Sequence, residues 1–329
     1  MQTEADEMLV ASFDRLIREQ HPIAYARTAC THDAARRYLL WSLLDEGGWL
    51  DLCQFESQAE SQVLAIGELM GRALLTQPLA FSAYVLKPLC DDMPALVDAG
   101  VILPPETHPG VGRVDEGAGA GRFVDYHGQD ACYYQLYLGA DRRTWGIRRY
   151  AGCDVQEMEG MDACGRLGVL PERGALAETT LTLAEADMAT ILRRYLAVEL
   201  AQMIGAAAAS LDMAIGYAKE RRQFGRLIGQ YQAIKHPLAN AWVALDNGRY
   251  AVRALLSESE KGPSLAGTAN RLVAAAAAQA TKLSVQVHGG MGFAWEHDAH
   301  LFLKRVYHMG TRTRILAALL DLLPTYSIR

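Results

Sequence analysis

Residues 286–316 read QVHGGMGFAWEHDAHLFLKRVYHMGTRTRIL. Gly289, Gly290 and Gly292 interrupt one apolar-periodic stretch just before another begins. A turn without Cβ atoms lets backbone amides approach a phosphate or an adenine closely. The second half of the stretch has helical spacing, but where a catalytic carboxylate would be sought it reads HMGTRTR, His308 to Arg314. Either the base has moved within this chain, or it stands on another chain.

Working outward, helices are expected over about 231–260, 265–288 and 296–323, preceded by TLAEADMATILRRYLAVELAQMIGAAAASLDMAIGYAKERRQF from Thr182. Thr182 with Glu185 fits a capping box, in which each side chain satisfies an exposed amide at the helix start. Four long antiparallel helices bury their stripes against one another and leave a broad flat face for self-association. ADEMLVASFDRLIREQ, AARRYLLWSLLDEGGWLDL and SQVLAIGELMGRALLTQPLAF, all before residue 100, carry the same i, i+3, i+4 pattern. Gly47-Gly48 is expected to end the second of these helices and Pro78 the third. Between the helical regions, PPETHPGVGRVDEGAGAGRF is too rich in Gly and Pro for a long helix. Short aromatic and β-branched runs follow, separated by HGQD and GADR, the marks of a small antiparallel unit. The expected fold is therefore mainly α with a small β domain (α+β). It divides into an N-terminal helical domain (1–100), a shortened β domain (101–180) and a C-terminal four-helix bundle domain (181–329).

The 329 residues suffice for a large core, and the net charge of −6 argues against nucleic acid or an anionic membrane as main partner. Six scattered cysteines without CxxC spacing suit reduced thiols, a cytoplasmic location and no metal. The histidines of the opening stretch are given no metal role. The acidic, amphipathic first twenty residues do not have the make-up of a signal peptide. AVELAQMIGAAAASLDMAIGYA is the longest apolar run, but Glu199, Gln202 and Asp212 interrupt it, so a buried helix is expected. Met203, Met213 and Met291 are expected to fill the core.

Two stretches carry a resemblance: ERRQFGRLIGQYQAIKHPLANAWVALDNGRYAVRALL (Glu220 to Leu256) and QVHGGMGF (Gln286 to Phe293). In the first, an arginine beside a glycine turn can neutralise a dinucleotide pyrophosphate through paired hydrogen bonds. Together, and in this order, they resemble the acyl-CoA dehydrogenase family. Arg221, Phe224 and Gln232 match that family's flavin-contacting R-x-x-F-G…Q pattern without a gap. Gln286, Gly289 and Gly290 match its Q-x-x-G-G-x-G pattern. The resemblance implies FAD as cofactor, an acyl-CoA thioester as substrate and α,β-desaturation as reaction. It also implies at least a dimer, because the two sets face one FAD from different subunits.

Departures from the family are as informative. Counting from Gln286 puts Thr313 at the usual position of the catalytic Glu, and aligning Gly310-Thr311 to the family's Gly-Thr puts Met309 there. A second branch places the Glu on the preceding long helix, where Tyr195 stands. Glu199 lies one turn further, about 6 Å along the axis, and is the remaining candidate base. Alternatively it pairs with Arg194, Arg271 or another cation of the bundle, since a buried carboxylate is costly without a partner. The loops that hold the flavin ring in the family are not recognisable, and LPPETHPGVGRVDEGAGAG stands in their place. This combination resembles the small degenerate subunit of heteromeric (α2β2) acyl-CoA dehydrogenases that act on bulky steroid-side-chain esters. There, a paralogous chain brings the carboxylate. Two alternatives stay open: a self-sufficient homo-oligomer using Glu199 or another non-standard base, and a flavin-free scaffold or CoA-ester-binding protein.

Overall fold

The computed structural model describes residues 2–28, 34–51, 60–91, 107–111, 123–126, 132–138, 144–151, 154–162, 164–171, 177–181, 185–257, 265–321 and 323. The chain begins with helices α1 (Gln2–Gln20), α2 (Ile23–Thr28), α3 (Ala34–Glu46) and α4 (Glu60–Arg72). Phe13 and Ile17 of α1 and Leu40, Trp41 and Leu44 of α3 are buried, as their spacing requires. Gly47 and Gly48 close α3, and Gly48 takes φ +73°, open to glycine at no steric cost.

Pro78 has a different role from the one its position suggested. The third expected helix stops at Arg72, and Leu74 adopts φ +52° in the turn that follows. Pro78 instead precedes a new helical segment, α5 (79–91), with a π-type widening over Ser82–Leu86. Proline has no N–H to lose at a helix start, so it opens this helix where it would break the interior of another.

The middle region forms strands β1 (Thr107–Val111), β2 (Phe123–Tyr126), β3 (Cys132–Leu138), β4 (Trp145–Ala151), β5 (Gln156–Met158), β6 (Arg166–Val169) and β7 (Ala177–Leu181). One sheet has the order β1-β3-β4-β7 and the other β2-β6-β5. The pairings are antiparallel except that β1 runs parallel to β3. The purely antiparallel unit expected from the sequence is corrected there. β2 leaves for the other sheet, so the chain re-enters beside β1 in the same direction, by a crossover instead of a hairpin. Val124, Tyr133, Tyr150, Val155 and Leu170 make a small core of their own, in which Tyr150 Oη donates to Gln135 Oε1 at 3.0 Å.

Helices α6 (Glu185–Glu220), α7 (Gln232–Leu256), α8 (Ala266–His288) and α9 (Ala299–Asp321) form the C-terminal bundle. Thr182 of the expected capping box lies outside the described residues. α6 is the central element. By length and composition it is apolar enough to cross a membrane, but its apolar window lies mostly inside the protein, as in a core helix. α4 crosses it at the closest range the backbone allows. A Cβ on Gly71 would stand 1.9 Å from the Gln202 carbonyl oxygen, and one on Gly205 2.0 Å from that of Glu68. The N-terminal helices and the bundle consequently share one core. Met203 is fully buried in it and Met213 partly, whereas Met291 is exposed and belongs to the α8–α9 turn.

Among the described residues, several ion pairs tie distant segments together. Arg305 of α9 pairs with Asp162 between β5 and β6, and also donates to the Leu75 carbonyl at 2.8 Å. Arg249 of α7 grips Glu68 of α4 with two bonds, 2.7 and 2.8 Å. Arg27 of α2 pairs with Asp298 at the start of α9.

Candidate functional site

The residues matched by motif come from three helices, and packing brings them to one end of the bundle. The Tyr217 ring of α6 lies 4.7 Å from the His288 ring of α8, so the C-terminal ends of these helices are side by side. Arg221 follows one turn after Tyr217. Gln286 precedes His288 by two residues, and Gln232 opens α7 after the hairpin that joins it to α6 and a short 3-10 turn, Ile228–Gln230. That hairpin pairs Arg222–Gln223 with Arg226–Leu227 and turns through Phe224 (φ +50°) and Gly225 (φ +81°). Arg226 stacks on the Tyr231 ring at 3.8 Å, and Tyr231 Oη donates to the Gln223 carbonyl at 3.1 Å, which fixes the hairpin on α7.

Arg221, Phe224, Gln232, Gln286, Gly289 and Gly290 are all exposed. Phe224 is 92% accessible, an unfavourable place for a phenyl ring that nothing covers. Gly289 has φ +64°, and a Cβ added at Gly289 or Gly290 would meet no atom within 4 Å. The bundle end thus offers guanidinium groups, two side-chain amides, open backbone and an uncovered aromatic ring. These donors fit the diphosphate and adenine of a dinucleotide such as FAD. Beside the hairpin, α6 and α7 enclose a groove of about 470 Å³ lined mainly by apolar residues, among them Ile215, Leu238, Trp242 and Val243, with Lys219 and Lys235 in its walls.

The α8–α9 turn is closed at its base by histidines. His288 Nδ1–H donates to the Ser284 carbonyl at 2.8 Å, the His288 and His297 rings lie 4.3 Å apart, and His297 Nδ1 accepts the Ala299 N–H at 3.1 Å.

The positions at which a base would stand form a separate set in the middle of the bundle. Tyr195 and Thr313 are 0% exposed and Met309 1%, all within the shared core. Glu199 is 2% exposed. Its Oε2 lies 2.6 Å from Arg312 Nε, and its Oε1 accepts from Gln202 Nε2 at 3.2 Å. The cation that meets Glu199 is neither Arg194, which is exposed, nor Arg271, which is exposed and bonds Thr268 at 3.1 Å. Arg312 was missed in the sequence, although it stands in the HMGTRTR segment where the base is lacking. Its place beside the inward-facing Thr313 was the available signal. From Glu199 to the exposed end is about 30 Å along α6, at about 1.5 Å per residue.

Residues 192–314 match the acyl-CoA dehydrogenase C-terminal domain, and that span holds both sets. Over nearly the whole chain, the structure superposes on the ChsE4-ChsE5 complex of Mycobacterium tuberculosis with a TM-score of 0.71, covering 97% of this chain and 95% of that one at 18% identity. The chain carries an acyl-CoA dehydrogenase C-terminal domain and has the acyl-CoA dehydrogenase fold. A steroid member, Tcur3481-Tcur3483, gives a TM-score of 0.72 at 18% identity over 98% of this chain and 97% of that one. At such identities the likeness is one of fold. In sequence, the acyl-CoA dehydrogenase IpdE2 of Mycobacterium tuberculosis is 35% identical over 167 residues, 49% of this chain and 48% of the relative. The chain spans about half the length of the curated relatives it matches.

Proposed function

We propose that this chain is a subunit of an FAD-dependent acyl-CoA dehydrogenase that desaturates a bulky acyl-CoA thioester in the cytoplasm. It completes the FAD site together with a paralogous chain that carries the catalytic carboxylate. The observation that carries this reading is the division of labour within α6. An open, cationic, glycine-rich end lies about 30 Å from a closed core in which the one candidate carboxylate is already paired.

FAD, when bound, supplies the hydride acceptor of the desaturation. In this reading the Arg221 guanidinium would meet its pyrophosphate from one subunit, and the Gly289-Gly290 backbone would admit it closely from the other. Phe224, Gln232 and Gln286 provide one aromatic face and two amides for the remainder of the nucleotide. A base must come within hydrogen-bond reach of the α-proton it removes. Glu199 does not meet that condition, because Arg312 and Gln202 take its oxygens and its side chain is sealed from solvent. The outer face of α7 and α8, with Trp242, Val243, Tyr250 and Leu272 each about half exposed or more, supports association with another bundle of the same kind. A steroid-like acyl group is taken from the steroid member that shares the fold.

The competing reading, a self-sufficient homo-oligomer, rests on Glu199 being an acidic group one turn from Tyr195. Glu199→Gln in the co-purified pair separates the two. We expect turnover within about twofold of the unmodified pair. A loss of about a hundredfold or more with flavin retained, the size of a general-base contribution, would place the base on this chain.

A further inference from the structure

We infer that His288 and His297 are positioning residues for the Gly289–Glu296 turn, a clasp that holds while His297 is neutral and opens when His297 Nδ1 takes a proton. The inference rests on the reading of that turn as part of the cofactor site.

The two histidines are the residues at which the turn leaves α8 and approaches α9, and their rings meet across its base. His288 is at the carbonyl end of α8 and donates to Ser284, so its Nδ1 carries hydrogen. His297 has the opposite role. Its Nδ1 accepts the amide of Ala299, one of the first-turn donors of α9 that have no partner within the helix. A proton on Nδ1 removes that acceptor. It also places a positive charge at the positive end of the α9 dipole and 4.3 Å from a second imidazole.

Each element packed on the pair contributes. From α6 comes the Tyr217 ring against His288, and from α2 the Arg27 guanidinium, which pairs with Asp298. The turn contributes Trp295, the residue before α9 is Asp298, and α9 contributes His300, stacked on Trp295, and Lys304. Of these only Asp298 favours a charged His297, and Arg27 already neutralises it. Burial first, then His288, push His297 below the ordinary imidazole range. His300 is pushed the same way by burial and then by Lys304. The folded state therefore holds fewer protons at His297 than an opened turn does. Closure is complete above about pH 6.5 and weakens as the pH falls below it.

The test is hydrogen–deuterium exchange of the peptide spanning residues 286–300 in the full chain, between pH 7.5 and 5. Unmodified protein is compared at each pH with His297→Asn. Asn Oδ1 can accept the Ala299 amide but cannot titrate. The ratio of exchange, unmodified over variant, is expected to rise below pH 6.5 by up to about tenfold per pH unit. A ratio that stays flat overturns the inference. His297→Phe guards against a failure of the first variant to fold. It keeps a ring on His288 but has no acceptor, so its turn is expected to exchange fast at every pH. Unmodified protein that stays better protected than His297→Phe at pH 5, by the same margin as at pH 7.5, also overturns the inference. Flavin retention by the co-purified pair is read alongside. A pair that never holds flavin, with the exchange ratio still rising, refutes the cofactor reading and leaves the clasp standing.

Discussion

Replacing Asp162 by alanine is expected to lower the stability of the folded chain by about 3–5 kcal/mol, the cost of stranding a buried cation. Asp162 is 4% exposed and Arg305 7%. The pair sits where three parts of the chain meet, because Arg305 also holds the Leu75 carbonyl and Asp162 Oδ1 accepts the Cys164 amide at 3.0 Å. Removing the carboxylate therefore takes a charged partner from a buried guanidinium and an acceptor from the Cys164 amide. Urea unfolding of the variant measures the effect as a fall in midpoint. Arg305→Met introduced together with Asp162→Leu should recover most of the loss, because a buried ion pair replaced by apolar groups of similar volume is often close to neutral. A single Asp162→Ala variant within about 1 kcal/mol of the parent would mean that the pair is solvated in the folded chain.

The second large effect concerns binding. Arg221→Ala is expected to weaken flavin retention in the co-purified pair by about 10- to 150-fold, corresponding to loss of charge-assisted hydrogen bonds of about 1.5–3 kcal/mol. The unfolding midpoint should stay in place, because Arg221 is exposed and no carboxylate pairs with it among the described residues. Equilibrium dialysis with released flavin read by fluorescence distinguishes the outcomes. Unchanged retention would remove the pyrophosphate role from this end of the bundle and favour a flavin-free scaffold.

How much of this was legible beforehand depended on the range of the interaction involved. The four long helices were readable because each is governed by its own apolar period, and helix ends were readable where glycine takes positive φ, as at Gly48 after α3 and Gly289 after α8. Pro78 was misread because a proline can stop one helix or start the next, and only the Leu74 turn decides which. The parallel β1–β3 pair was not readable, since it depends on where β2 goes and not on the composition of either strand. At the site, the candidate phosphate-binding residues were visible as short motifs, but their meeting at one end depends on α6 and α8 running alongside each other. The partner of Glu199 illustrates the limit. Residues 199 and 312 are far apart in sequence, and several arginines were available. Packing of α9 on α6 selects Arg312 and leaves Arg194 and Arg271 at the surface. The histidine clasp was hidden for the same reason, because His288 and His297 stack only once the turn between them has folded.

We propose that this chain supplies half of a flavin site. It is tested most directly by the ratio of absorbance near 450 nm to protein, for the chain purified alone and for the chain purified with a co-expressed paralogous acyl-CoA dehydrogenase subunit. Little flavin on the chain alone and about one FAD per pair when the two are together are expected. One FAD per chain on the protein purified alone would contradict it.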